Sequence, residues 1–148
     1  MTQNDMLSTR PLAPGDFEAW FPLWGQYLAR NNTKMRWTDR TALFRKLAHH
    51  ADNAGAMVIE CDGKMVGIAH YNVHHAQFAF EHAYHVQDVY ITPEYHAQRA
   101  GAVLMRAVYL AAQKNGAPTV YWMAAEHTYC RNETAATSSS FLQFRKAA

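Results

Sequence analysis

Cysteine is scarce in this 148-residue chain: Cys61 and Cys130 are the only two. Far apart in sequence and without an export signal, they read as thiols, one in or near a strand and one on a helix, not as a disulfide framework. Charge is sparse as well. Charged residues make up 18% of the chain and the net charge is +2. Lys and Arg are scattered, so no nucleic-acid surface is expected. No stretch approaches the roughly 18 continuous apolar residues of a membrane span, and the polar start Met1–Asp5 lacks a signal-peptide pattern, so the expected setting is cytoplasmic with no membrane partner. Nine histidines are present, but His49–His50 and His74–His75 are adjacent pairs, not the i, i+4 pair with which a helix chelates zinc. No metal is expected.

What remains describes a single globular domain. The length suits one domain with a proper core, and 49% of the residues are hydrophobic, as in folded proteins. Leu7–Leu12 reads as a short strand. Asp16 then caps a helix whose apolar residues Phe17, Trp20, Phe21, Leu23, Trp24, Tyr27 and Leu28 recur at helical spacing, with Pro22 predicting a kink or a late start. After a polar loop from Asn31, Thr38 or Asp39 caps a second helix that buries Ala42, Leu43, Leu47 and Ala48. Ala56–Cys61 and Met65–Val73 are predicted strands of a hairpin, because Asp62-Gly63 supplies the positive φ a tight turn needs. His74–Glu81 either extends the strands or forms a loop.

The chain is organised around Tyr84–Met105. His85–Ile91 reads as a largely buried strand stopped by Thr92-Pro93, and a small-residue turn over Ala97–Gly101 opens a helix that runs to about Gln113, with Val103, Leu104, Ala107, Val108, Leu110 and Ala111 as its apolar residues. Asn115-Gly116 ends it. Thr119–Met123 follows as a strand, Glu126–Ala136 as a short helix, Ser138–Ser140 as a loop and Phe141–Arg145 as a last strand. Strands interleaved with helices, without repeat or linker, give an α/β sandwich. The turn before the long helix matters because the first N–H groups of a helix have no internal partners and its dipole favours anions, so such a turn can hold a pyrophosphate.

Over Gln87–Leu104 (QDVYITPEYHAQRAGAVL) the chain resembles the Gcn5-related N-acetyltransferase family. Asp88, Tyr90, Pro93, Glu94, Tyr95, Gln98, Gly101 and Leu104 stand where its motif has them, and the likeness extends over nearly the whole chain. The family's acyl-CoA motif is Gln/Arg-x-x-Gly-x-Gly/Ala; here the second glycine is Gly101 and the first is replaced by Arg99. The resemblance implies a single GNAT-like α/β domain over residues 1–148, with a mixed central sheet of six to seven strands flanked by about four helices. It also implies acetyl-CoA as co-substrate, transfer to the primary amine of a small molecule, and a homodimer, for which Phe78, Phe80, Phe141 and Phe144 are candidate contacts.

Site residues follow from the same likeness. The backbone of Val89, Tyr90 and Ile91 would bind pantetheine where the fourth strand splays from the fifth. The N–H groups of Gln98, Arg99, Ala100, Gly101, Ala102 and Val103 would hold the pyrophosphate, and the Arg99 guanidinium could add a charge-assisted contact. Arg131 matches the family at the cofactor, whereas His127 replaces its helix asparagine. Trp24, Tyr27 and Trp37, on or beside the first two helices, are candidates for the acceptor pocket.

Proton handling departs from the pattern. Gln87 replaces a glutamate base, and a neutral amide cannot serve as one; Thr134 replaces the tyrosine that faces the departing thiolate. Strand alternation puts His85 on the face of Gln87, and its imidazole suits base work near neutral pH. Asp88 falls on the opposite face unless a bulge turns it. Tyr129 could supply the missing phenol, and a water chain could replace a strong base. Two alternatives stay open: a catalytically weak or inactive module that binds CoA for sensing or interaction, and an enzyme acetylating protein N-termini or side chains.

Overall fold

The computed structural model describes residues 6–75, 82–117, 119–123, 136–137 and 143–147. In chain order these form β1 (Leu7–Pro11), α1 (Phe17–Arg30), α2 (Trp37–Ala48), β2 (Ala54–Cys61), β3 (Lys64–His75), β4 (His82–Ile91), α3 (Ala100–Lys114), β5 (Thr119–Met123), β6 (Ala136–Thr137) and β7 (Gln143–Ala147). The strands lie in one mixed sheet in the order β1-β2-β3-β4-β5-β7-β6. Among the described strands only the β4–β5 pair is parallel, and α3 is its crossover.

The helices divide between the two faces. Ala100, Leu104, Val108 and Ala112 of α3 pack on Met57, Ile59, Val66, Tyr84, Val86, Ile91, Val120 and Trp122. On the other face Trp20, Leu23, Trp24 and Leu28 of α1 and Phe44, Leu47 and Ala48 of α2 cover Ala56, Val58, Ile68 and Tyr90. Helix α1 runs unbroken through Pro22, and α2 begins at Trp37, with Arg36 as N-cap and no side-chain cap bond, so the expected Thr38 or Asp39 cap is not used. Its buried face includes Phe44 and leaves Ala42 exposed. Leu110 of α3, expected in the core, is 51% exposed. The hairpin turn is as expected, with Asp62 at φ 51° and Gly63 at φ 83°, the two consecutive positive angles of a type I′ turn. Gly116 ends α3 at φ 76°. Of the helix expected over Glu126–Ala136 only Ala136 is described, and it belongs to β6; the rest of that segment, with Phe78, Phe80, Phe141 and the loop Ser138–Ser140, lies outside the described residues.

Candidate active site

Two features of β4 build the site. The first is a bulge against β3: Tyr71 pairs with Val86 and His70 with Asp88, so Gln87 is an extra residue on β4. An extra residue reverses the alternation beyond it. Tyr84 and Val86 face α3, but so do Val89 and Ile91, and Asp88 and Tyr90 turn to the α1 side. His85, between two residues that face α3, is on the α1 side as well. The expected pairing of His85 with Gln87 on one face therefore does not occur; the bulge joins His85 to Asp88 and leaves Gln87 exposed.

The second feature is the stretch of β4 beyond its described pairing with β5. Among the described residues the parallel β4–β5 ladder runs from Ala83↔Thr119 to Val86↔Trp122, β5 is described as far as Met123, and β4 continues to Ile91. Thr92 N–H donates to the Val66 carbonyl of β3 at 2.9 Å. Main-chain groups alternate sides along a strand, so Tyr90 also turns its backbone to β3, while Val89 and Ile91 turn theirs to the β5 side. The Ile91 carbonyl is already hydrogen-bonded to His96 Nε2 at 2.8 Å. Among the three expected pantetheine residues, Tyr90 thus contributes its side chain elsewhere: its hydroxyl donates to Gln26 Oε1 at 2.9 Å.

From Ile91 the chain passes through a 3-10 turn, Pro93–Gln98, to Arg99, whose left-handed φ of 61° makes it the N-cap of α3. The first main-chain bond closing the helix is Val103 N–H to the Arg99 carbonyl at 3.1 Å. The N–H groups of Ala100, Gly101 and Ala102 precede it and point out of the helix end, where the dipole favours an anion. A Cβ placed on Gly101 would meet only Ile91 Cγ1, at 3.9 Å. The protein leaves that side of the turn open, which fits a pyrophosphate lying against it. Arg99 is exposed and pairs with no carboxylate among the described residues.

On the α1 side, the helix crosses from β3 at Trp20 to β4 at Tyr27 and so carries its C-terminal end toward Asp88. Tyr27 donates its hydroxyl to Asp88 Oδ1 at 2.7 Å, and His70 Nδ1 lies 3.2 Å from Asp88 Oδ2. Burial favours the protonated acid at Asp88, but the hydrogen bonds from His70 and the Tyr27 hydroxyl outweigh it and hold the carboxyl below its ordinary range. His85 stacks flat on Tyr121, its register partner on β5, with ring centres 4.7 Å apart and planes at 8°. His74 hydrogen-bonds the Tyr121 hydroxyl and meets the His85 ring edge-on. Burial pushes the His85 imidazole below its ordinary value, His74 pushes it the same way, and the Asp88 charge opposes them. His85 is therefore a neutral acceptor at physiological pH and Asp88 a carboxylate.

The acceptor-pocket candidates separate. Tyr27 reaches the site. Trp24 is 4% exposed and lies between its neighbours, stacked on Tyr27 at 4.8 Å and tilted against His70 at 4.8 Å, so it is a wall behind the site. Trp37 is 61% exposed and touches Phe17 and Phe21, about 9–15 Å along α1 from Tyr27 at the helical rise; it is not beside Asp88. His127, Tyr129, Arg131 and Thr134 lie outside the described residues. His70, Trp20, His74 and Tyr121 were not singled out by sequence. For His70 a signal existed: a histidine at a core position of a strand otherwise filled by Ile68, Ala69 and Tyr71 requires a partner. Among the described residues no group of three His, Cys, Asp or Glu side chains could hold a metal, and no helix is long and apolar enough to cross a membrane.

A family model described as Acetyltransferase (GNAT) family matches residues 17–136. The chain belongs to that family. As a GNAT protein it is an N-acetyltransferase, an acyltransferase supplied by acetyl-CoA. It is similar to the D-amino-acid N-acetyltransferase HPA3 of Saccharomyces cerevisiae, with 28% identity over 128 residues that span 85% of this chain and 80% of that one. Among solved GNAT structures, a ribosomal-protein-alanine N-acetyltransferase from Brucella melitensis biovar Abortus 2308 superposes with a TM-score of 0.75 at 18% identity, covering 93% of this chain and 98% of that one. Glucosamine-6-phosphate N-acetyltransferase from Arabidopsis thaliana gives a TM-score of 0.69 at 18% identity, with 92% and 97% covered. At such identities the two structures establish the shared fold alone.

Proposed function

We propose that this GNAT protein passes an acetyl group directly from acetyl-CoA to the primary amine of a small molecule, with no acyl group held on the protein. The observation that carries the reading is the geometry of β4. Beyond its described pairing with β5, Val89 and Ile91 turn their main chain away from β3, between the amide-lined start of α3 on one face and His85 and Asp88 on the other. In this reading β4 and β5 splay beyond Val86↔Trp122, the pantetheine arm lies against Val89 and Ile91, and Ala100, Gly101 and Ala102 hold the pyrophosphate, with Arg99 beside them.

Each residue on the acceptor side then has a defined task. Asp88, with its two oxygens held by Tyr27 and His70, attracts the incoming ammonium and fixes where its nitrogen sits. His85, neutral and stacked on Tyr121, takes the proton and releases it to water. The amine nitrogen bonds to the thioester carbon, the carbon–sulfur bond breaks, and the thiolate leaves with a proton from Tyr129 or water, since Thr134 is too weak an acid. Gln87 in its bulge is neither acid nor base. Around this core we infer a homodimer; a monomeric mass by light scattering at micromolar concentration removes it.

The D-amino acids acted on by the yeast relative are the first acceptors to test, followed by polyamines and aminoglycosides. The experiment follows free-thiol release with acetyl-CoA and this amine panel, beside the acetyl-CoA-induced rise in melting temperature. Turnover with a small amine supports the reading. A thermal rise without turnover on any amine supports instead a CoA-binding module, which Gln87 and Thr134 favour. An unchanged melting curve at millimolar acetyl-CoA overturns both.

A further inference from the structure

The strongest polar feature of the interior is absent from the family motif. His70 is the one buried polar or charged residue among the described core positions, 1% exposed, and Trp20 above it is fully buried. Trp20 Nε1 donates to His70 Nε2 at 3.1 Å. An indole N–H can only donate, so Nε2 must carry a lone pair. The ring proton is then on Nδ1, which donates to Asp88 Oδ2 at 3.2 Å. Had Nε2 carried a proton, two buried N–H groups would face each other, each without an acceptor, at a cost of about 1–3 kcal/mol per group. One tautomer is thus selected by a residue that never approaches the acceptor.

We infer that Trp20 and His70 form a tautomer clamp that positions Asp88 for the acceptor amine, His70 being the positioning residue and Trp20 the group that fixes its proton. The inference rests on the transferase reading above and adds to it two residues and a specific protonation state. Main-chain pairing sets only the Asp88 backbone; its carboxylate is held in plane by one bond to each oxygen, from His70 on β3 and from Tyr27 on α1. The other titratable group of the described residues acting on Asp88 is His85 of β4, with His74 of β3 and Tyr121 of β5 one ring further out. Trp24 closes the remaining side of the imidazole, with ring centres 4.8 Å apart. The pyrophosphate cradle is on the opposite face of β4 and is untouched by the clamp.

Two substitutions separate positioning from packing. In His70→Asn the side-chain amide nitrogen takes the place of Nδ1 and keeps the donor to Asp88, but nothing accepts from Trp20. In His70→Gln the amide oxygen takes the place of Nε2 and keeps the acceptor for Trp20, but Asp88 loses its donor. With an acceptor from the panel above, His70→Gln raises the amine KM and lowers kcat/KM about 10–100-fold, as for a reacting group displaced by an ångström, with acetyl-CoA KM and thermal shift unchanged. His70→Asn returns the amine KM to within about threefold of the unsubstituted protein, close to its undisturbed geometry. Equal losses in the two variants, or a better Gln than Asn variant, overturn the clamp. Independently of activity and of either variant's folding, the imidazole nitrogens of the unsubstituted protein report the tautomer by long-range proton–nitrogen correlation: a protonated Nδ1 and bare Nε2 support the clamp, and any other state of His70 at neutral pH refutes it. Absence of acetyl-CoA binding in the unsubstituted protein refutes the transferase reading while leaving this tautomer measurement intact.

Discussion

Replacing Gly101 by glutamate moves the stability of the unliganded protein and its response to acetyl-CoA in opposite directions. Gly101 is the second residue of α3, and a side chain there finds no protein atom closer than ordinary contact, with Ile91 Cγ1 at 3.9 Å from the new Cβ. Glutamate has the better helix propensity by about 0.5 kcal/mol, and a carboxylate in a first helical turn adds about 0.3–1 kcal/mol through the dipole. For a domain of this size, each kcal/mol is worth about 2–4 °C, so the unliganded variant should melt about 2–6 °C higher. Acetyl-CoA at a hundred times its Kd stabilises the original protein by about 2.7 kcal/mol, or about 5–11 °C by the same conversion. In the variant that rise should vanish, because the carboxylate occupies the place of the pyrophosphate and repels it. Gly101→Ala, uncharged and small, should keep most of the shift. Differential scanning fluorimetry at several acetyl-CoA concentrations reads both effects. A fall of several degrees without ligand, or an intact ligand shift in Gly101→Glu, refutes the assignment of this turn.

Gly67→Ala should destabilise by about 1–3 kcal/mol through overpacking, since its Cβ would stand 2.4 Å from Ile91 Cδ1 and 2.8 Å from Ile59 Cγ2; denaturant melts showing no loss would mean that β4 yields freely. His85→Gln should lower kcat/KM about 10²–10⁴-fold, the usual worth of a general base. In the unsubstituted protein kcat/KM should fall with decreasing pH through an inflection below the ordinary histidine value of about 6.5, because burial depresses His85; the same inflection surviving in the variant assigns the base elsewhere. Arg10 grips both oxygens of Asp16, at 2.7 and 2.9 Å, and Glu60 at 3.1 Å, and Arg10→Met should cost about 1 kcal/mol after screening of this part-exposed network. Arg10 holds the Asp16 carboxyl below its ordinary value, so this contribution is present above about pH 4 and is lost as pH falls through the folded value. The stabilities of Arg10→Met and the unsubstituted protein should therefore converge in acid, and a gap that stays constant down to pH 2 would count against the linkage.

Local chemistry was enough to place the hairpin at Asp62-Gly63, the end of α3 at Gly116 and the apolar stripe of α1, because each depends on residues close in sequence. Helix α2 starts two or three residues earlier than a Thr38 or Asp39 cap implies, because Arg36 enters with extended backbone and no cap bond. The acceptor side of the site was misread for a different reason. Strict alternation from His85 gives Gln87 as its companion, and the error is a single inserted residue. The signal lay in the apolar phase: Tyr84 and Val86 have one parity and Val89 and Ile91 the other, so the change between Val86 and Val89 requires a bulge if all four are to face α3. What no local pattern could supply is the reason the bulge is stable. Asp88 is held on the α1 side by Tyr27, 61 positions away, and by His70, 18 positions away, and these contacts exist only after α1 has packed across β3 and β4. The same packing buries Trp20 over His70 and sets the imidazole proton toward the carboxylate. On the proposed function, a motif confined to β4 and the start of α3 therefore specifies where the acetyl donor lies, whereas placement of the amine depends on α1. Changes along α1 should accordingly alter acceptor choice while leaving acetyl-CoA binding intact.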